Sequence, residues 1–261
     1  MTVISNSLNS SLTGLYHRSL RAVGKYILPP SCLACENQLS DEGFVCGTCW
    51  ASIRHIDHPM CAVLGVPFSH DLGSGAQSAQ AIANPPTYDR ARSTVMYDQT
   101  PRRLIQGFKF SDRTDLGPWL ARWMVNWTKR TEPSLLSNDT LIVPVPLHTK
   151  RLLSRRFNQA AELARYIAKE ENLRHRPDLL HRVKATRQQV GLGFRERAKN
   201  VKGAFRVPTE AKPTIKGAHI LLIDDVYTTG ATLEACARAL KRAGARQIDC
   251  LTFARVATDD V

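Results

Sequence analysis

The sequence predicts an α/β fold, a twisted parallel sheet flanked by helices, with a small N-terminal zinc-binding domain. Three observations carry this. The apolar runs LIVPV (141–145) and ILLI (220–223) have the length and continuity of strands buried on both faces. Each is followed by a segment with helical spacing, Asn158 to Glu171 and Thr232 to Ala243, the alternation of a parallel sheet. Ahead of them, two Cys-x-x-Cys pairs fall between residues 32 and 49.

Taken in order, residues 8–28 read as an amphipathic helix, with Leu8, Leu12, Leu15, Tyr16, Leu20, Val23 and Ile27 at helical spacing. His17, Arg18, Arg21 and Lys25 make it basic, and Pro29-Pro30 ends it. It can lie on a membrane surface; packing on the rest of the protein is the plainer reading. Residues 69–87 hold few large apolar groups and read as a loop or linker. ARSTVMY (91–97) reads as a strand. Thr100-Pro101 opens a short helix carrying Leu104, Ile105 and Phe108, and Asp115 opens another with Leu116, Leu120, Trp123, Met124 and Trp127 on one side. Gly244 stops the helix after 232, and QIDCLTFARV closes the sheet. The expected domains are 1–30, an amphipathic helix; 31–87, the zinc-binding domain and linker; and 88–261, the α/β domain. No internal repeat is visible.

The 261 residues are 43% hydrophobic, which excludes wholesale disorder. No apolar run approaches the roughly 18–20 residues of a membrane-spanning helix, and the first 30 residues lack the continuous apolar stretch of an export signal. The expected compartment is therefore the cytoplasm, with peripheral contact at the inner membrane left open through the N-terminal helix. The net charge is +13, and most of it sits in residues 150–206, where sixteen Lys and Arg face five acids. Such a concentration suits an anionic partner, either nucleic acid or a phosphate-rich small ligand; a solvated basic surface is the alternative.

Cys32, Cys35, Cys46 and Cys49 are the expected metal ligands. Two Cys-x-x-Cys turns complete a tetrahedral set of four soft donors with no open position, which suits structural Zn2+; an iron–sulfur cluster or a redox dithiol pair are the alternatives. Cys61 stands without a partner, and Cys236 and Cys250 read as small core residues.

The most informative segment is HILLIDDVYTTGATLEACARAL (219–240). Asp224 and Asp225 follow a buried strand, and Thr228-Thr229-Gly230-Ala231-Thr232 opens a helix whose backbone N–H groups form an anion site. Adjacent carboxylates suit vicinal hydroxyls, or a Mg2+ held between sugar and diphosphate. Together they describe a pocket for a phosphorylated sugar. The segment resembles the phosphoribosyl pyrophosphate (PRPP) motif of type I phosphoribosyltransferases. The resemblance implies a phosphoribosyltransferase-like fold, Asp224 and Asp225 as the catalytic acids on the ribose hydroxyls, and PRPP contacts from Tyr227, Thr228, Thr229, Gly230, Ala231 and Thr232.

VPVPLHTKRLLSRRFNQAAELA (143–164) follows the other buried strand, with Lys150, Arg151, Arg155 and Arg156 crowding one loop. Cations there suit a diphosphate. This segment is similar to the ComF family of competence-associated proteins. So is TRQQVGLGFRERAKNVKGAF, where Thr186, Gln189, Leu192, Arg197, Asn200, Ala204 and Phe205 match that family's long loop. The Cys pairs and the YDRARS and LIQGFKF stretches fit as well. Two features depart from the family pattern: Arg156 stands where the family has Gly, and Cys61 lacks the further Cys pairs that family members often carry, so no second metal site is expected.

The resemblance implies a PRPP-binding protein, with Lys150 and Arg151 as further PRPP contacts and Mg2+ accompanying PRPP, that handles incoming single-stranded DNA. Arg155, Arg156, Arg187, Arg195, Arg197 and Lys199 are its nucleic-acid or flexible-loop residues. DNA-uptake proteins are the implied partners. Phe157, Phe194 and Phe205 could stack bases, with ordinary packing the alternative for Phe157 and Phe205. Two other functions stay open: a non-catalytic binding module, and a nucleobase-salvage phosphoribosyltransferase.

Overall fold

The computed structural model describes residues 30–39, 43–110, 115–148, 157–184 and 200–257. The N-terminal helix expected over 8–28 lies outside them. The chain divides into two compact units, Met1–Ser52 and Ile53–Val261. The boundary expected near residue 88 falls inside the second unit, whose core takes in residues of the stretch 53–87. Cys61, Leu64, Ala81 and Tyr88 share one buried cluster with the sheet residues Val143, Leu222 and Cys250. The segment expected to be a linker contains a helix capped by Ser78.

The second unit is built on a five-stranded sheet in the order β1-β7-β6-β2-β3. The strands are β1 (Arg90–Met96), β2 (Leu141–Pro144), β3 (Arg174–His175), β6 (His219–Tyr227) and β7 (Gln247–Arg255), and every pairing is parallel. β4 (His181–Arg182) and β5 (Phe205–Arg206) form a separate antiparallel pair. β6 sits between β7 and β2, so both faces are covered, and Ile220 to Ile223 are fully buried. That is why this run is apolar without alternation. The helices are α1 (Gly47–Ala51), α2 (Ala79–Ala83), α3 (Gln99–Phe110), α4 (Leu116–Thr131), α5 (Gln159–Glu170), α6 (Lys212–Ile215) and α7 (Ala231–Arg242). α4 buries Leu116, Leu120, Met124 and Trp127 as its spacing requires. Asn158 caps α5 by accepting the Ala160 N–H at 3.1 Å.

A charged network crosses the amino-terminal half of the sheet. Arg90 donates from Nε and Nη2 to both oxygens of the fully buried Asp249, which also meets His219 Nε2 at 2.8 Å. Arg92 pairs with Glu132 at 2.6 Å and donates to the Ala62 carbonyl at 3.0 Å.

The structure contains an internal repeat that the side chains conceal. In the first unit, Cys32 N–H donates to Asn37 O, Glu36 N–H to Cys32 O, Leu39 N–H to Pro30 O and Leu33 N–H to Phe44 O. The Cys46 N–H meets Cys32 Sγ at 3.3 Å, and Cys46 caps α1. In the second unit, Cys61 N–H donates to Val66 O, Gly65 N–H to Cys61 O, Phe68 N–H to Pro59 O and Ala62 N–H to Ala76 O. The Ser78 N–H meets Cys61 Sγ at 3.2 Å, and Ser78 caps α2. Glu36 and Gly65 hold the matching left-handed positions, at φ 65° and 63°. Each of these bonds in one knuckle has its counterpart in the other. Cys32, Cys35, Cys46 and Cys49 thus correspond to Cys61, Leu64, Ser78 and Ala81.

Gly65 has a second constraint, since a Cβ there would lie 2.4 Å from the Ala91 carbonyl oxygen. Gly65→Ala is therefore expected to lower unfolding stability by about 2–4 kcal/mol in a urea titration. Gly73→Ala, also at positive φ but with nothing within 4 Å of the new Cβ, should cost only about 1 kcal/mol. Equal losses would show that the close approach to Ala91 does not matter.

Candidate ligand pocket and metal centre

The topology places the pocket. From β2 the chain moves through α5 to β3 on one side, and from β6 it moves through α7 to β7 on the other. The sheet therefore reverses its winding between β2 and β6, and a ligand crevice forms at the carboxyl ends of such strands. β2 pairs with β6 only as far as Pro144 opposite Ile223. β6 then runs on beside β7 alone, which frees one side of Asp224 and Asp225.

The two acids are not equivalent. Asp224 accepts the Asp225 N–H at 2.9 Å. Its carboxyl is pushed up to about 7, first by burial and then by the charge of Asp225, against the pull of that N–H, Lys109 and Arg182. Asp225 is held by Lys109, whose Nζ lies 2.6 Å from Oδ2. Lys109 reaches it from the last turn of α3, which Phe108 anchors by stacking on Phe157 at 5.6 Å between ring centres.

The turn after β6 has the geometry of an anion cradle. Gly230 is the N-cap of α7 at φ 75°. A Cβ there would meet the Tyr227 hydroxyl at 2.5 Å, so only glycine fits. Thr229 Oγ1 accepts the Ala231 N–H at 3.4 Å. Thr228, Thr229, Ala231 and Thr232 are all partly exposed around the helix start, where the backbone favours negative charge. Tyr227, expected as a ligand contact, lies behind the turn. It is buried with its hydroxyl 2.9 Å from that of Tyr88, and the buried Arg255 guanidinium lies 4.7 Å from its ring centre. Arg255 in turn donates to the Leu64 carbonyl, so the metal-free knuckle backs the cradle.

The basic loop after β2 begins and ends beside the acids. Val145 N–H donates to Ile223 O, and Asn158 Nδ2 donates to Val145 O at 3.1 Å, closing the loop at its base. Lys150, Arg151, Arg155 and Arg156 lie outside the described residues, as do Arg187, Arg195, Arg197, Lys199 and Phe194. Phe205 is buried under Arg182, and Phe157 packs on Phe108; both are packing residues, and base stacking falls away for them. Lys109 and Arg182 are the site cations that sequence reasoning missed. Arg182 had figured only in the charge count, and Lys109 only within the LIQGFKF stretch.

In the first unit, Cys32, Cys35, Cys46 and Cys49 place their sulfurs within 4.8 Å of one another. Among the described residues they form the one such cluster. Cys35 and Cys46 sulfurs are 3.7 Å apart, close to the roughly 3.8 Å edge of a tetrahedron with about 2.3 Å zinc–sulfur bonds. The thiols are electrostatically frustrated alone. Burial raises Cys32, but N–H groups of Cys46, Ala34 and Cys35 outweigh it and hold it at about 6; burial, then the neighbouring thiol groups, push Cys49 up to about 12. A divalent cation relieves this by taking all four as thiolates. The four residues fit structural Zn2+.

Two predictions follow from these sites. Purified protein should hold one zinc per chain by metal analysis, and Leu64→Cys/Ser78→Cys/Ala81→Cys, which completes a tetrad with Cys61, should hold two. A triple variant that remains folded and binds one would break the equivalence of the knuckles. For Asp224, a folded-state value above the unfolded one means that the native protein holds a proton the unfolded chain has released. Stability contributed by this group therefore falls between about pH 4 and 7. Relative to Asp224→Asn, the wild type should lose denaturant resistance as pH rises across that window, and parallel curves would exclude the shift.

The comparisons agree with this architecture. The family model described as a double zinc ribbon domain matches residues 23–82, and the phosphoribosyl transferase domain matches residues 178–260. The former spans both knuckles. DNA utilization protein YhgH of Escherichia coli K12 is 30% identical over 230 residues, 86% of this chain and 97% of the relative. Competence protein F of Haemophilus influenzae is 28% identical over 86% of this chain and 96% of its own. Competence protein ComFC of Bacillus subtilis is 25% identical over 86% and 94%. Among solved structures, the hypoxanthine-guanine phosphoribosyl transferase of Leishmania donovani aligns over 53% of this chain and 71% of its own, at 13% identity and a TM-score of 0.32. Similarity at 30% identity along nearly the whole relative shows that the chain belongs to the ComF family of competence-associated proteins, with a phosphoribosyltransferase-type α/β domain and an N-terminal four-cysteine zinc ribbon.

Proposed function

We propose that the chain binds PRPP with Mg2+ at the β2/β6 crevice and acts on incoming single-stranded DNA. The observation that carries the first part is the juxtaposition at the end of β6. Two adjacent carboxylates stand on its free side, and a glycine-capped helix start follows within a few residues. The acids suit the vicinal hydroxyls of a ribose, and the helix start suits its 5′-phosphate. Their hard oxygen donors also suit Mg2+, which when bound with the ligand would neutralise a departing diphosphate. The protein's own part is to orient the sugar between the acids and the cradle, with Lys150 and Arg151 from the β2 loop as the cations for the diphosphate. Were transfer to occur, substitution at the anomeric carbon would pass through an oxocarbenium-like state, with the charge on the leaving group offset by these residues.

The second part draws on the relatives, which are named for competence and DNA utilization. It is supported by the sixteen cations of residues 150–206. DNA-uptake proteins are the partners this reading implies, and the basic N-terminal segment is its means of peripheral membrane contact. Among the described residues, no helix is long and apolar enough to cross a membrane.

Calorimetric titration of PRPP with Mg2+ into zinc-loaded protein tests the pocket. Saturable binding is expected, and Asp224→Ala/Asp225→Ala should abolish it while keeping the fold and the zinc. Undiminished affinity in that folded variant would sink the site assignment. Pyrophosphate release once single-stranded DNA or a nucleobase is added as acceptor separates a transferase from a binding module.

A further inference from the structure

We propose that Lys109 is the resident counter-cation of Asp225, and that a divalent cation entering with a phosphorylated sugar must displace it; the inference rests on the reading of this crevice as a PRPP pocket. Lys109 lies outside the acidic motif and outside both basic loops. It is supplied by α3, more than a hundred residues earlier in the chain. Its ammonium nevertheless sits 2.6 Å from Asp225 Oδ2, with the two side chains only 18% and 13% exposed. An ion pair this sheltered is not a solvated surface contact, and its strength is reduced less by screening.

The need for it is electrostatic. Asp224 and Asp225 are neighbours on one strand, and Asp225 N–H already bonds back to Asp224. Two carboxylates this close repel each other, and a ligand with a phosphate and a diphosphate adds more negative charge. A cation at Asp225 lets the pair stay in place while the pocket is empty. A Mg2+ arriving with the ligand seeks the same carboxylate oxygen and does the same work with twice the charge. The two therefore compete. Lysine suits exchange better than arginine would in a bidentate lock, because its ammonium is a point charge on a flexible stem. Phe108, packed at 1% exposure against Phe157, fixes the root of that stem. Once displaced, the ammonium has phosphate oxygens as its alternative partners.

This gives two effects of opposite sign, which a merely structural ion pair would not. MgCl2 alone, titrated calorimetrically into the zinc-loaded full chain, should bind Lys109→Met on the order of tenfold more tightly than wild type, because its competitor is gone. PRPP at saturating Mg2+ should bind the same variant on the order of tenfold more weakly, because the phosphates lose a cation. Lys109→Arg should restore the competition with Mg2+ but only part of the PRPP affinity, because its bidentate hold on Asp225 releases less readily. Adding Asp225→Asn to Lys109→Met should remove the gain in Mg2+ affinity. A Lys109→Met protein with an unchanged thermal melt and an unchanged or weaker Mg2+ affinity overturns the proposal. If the Mg2+ arm behaves as stated while no protein binds PRPP, Lys109 keeps its role and the PRPP reading is what fails.

Discussion

Two ionisable neighbours at the end of a buried strand are the constraint around which the rest of the second unit is arranged. The run Ile220 to Ile223 of β6 can be apolar throughout only because β2 and β7 cover its edges, and helices and the packed knuckle cover its faces. The same enclosure raises the Asp224 carboxyl to about 7. An arrangement of that kind opposes folding unless other groups are aimed at it. The Asp225 N–H, Lys109 and Arg182 are those groups, and each comes from a different part of the chain. A perturbed acid in a crevice at a sheet's winding reversal marks a site of binding more often than a structural accident.

The two knuckles show one backbone shape held by two means. Among the described residues of the first unit, Cys32, Ala34 and Leu39 are the enclosed apolar groups, with Cys35, Val45, Cys46 and Cys49 around them. That is little apolar surface to order such a segment, and metal–thiolate bonds at the tetrad would make up for it. The second knuckle has no such shortage. Leu64 and Ala81, at 3% and 2% exposure, stand where thiolates would and join the core of the sheet. Cys61 keeps the sulfur that accepts the Leu64 and Ser78 N–H groups, which a metal is not required to maintain.

Much of this was legible in the residues. The apolar run at 220–223, the acid pair and the threonine-glycine turn announce a strand, a crevice and a helix start, because all three signals are local. The cysteine spacing announces a tetrad for the same reason. What could not be read was non-local. Nothing near Lys109 hints that it meets Asp225, since the contact depends on how α3 is anchored through Phe108. Tyr227 looked like part of the turn it precedes, yet it is the last residue of the strand and is buried against Tyr88. Residues 69–87 looked like a linker because they are small and polar, but Ala81 is buried and Ser78 is a cap. The repeat was invisible because it resides in backbone hydrogen bonds, and only one of the second knuckle's four positions still carries a sulfur.

Those backbone bonds also explain why a metal-free knuckle keeps its shape. Its carbonyls are acceptors for buried cations. Ala62 O takes Arg92, which pairs with Glu132, and Leu64 O takes Arg255, which lies against Tyr227. A buried guanidinium deprived of an acceptor is costly, so the position of each carbonyl is under constraint even where no metal sets it. Gly65 turns the chain so that the Leu64 carbonyl faces inward, and it lies too close to Ala91 for any side chain. The line from Leu64 through Arg255 and Tyr227 ends at Gly230, the glycine that shapes the anion cradle. Apolar contact with the sheet lets Leu64 and Ala81 stand at positions equivalent to thiolates. The carbonyl geometry has no such latitude, because the wall behind the cradle is made from it.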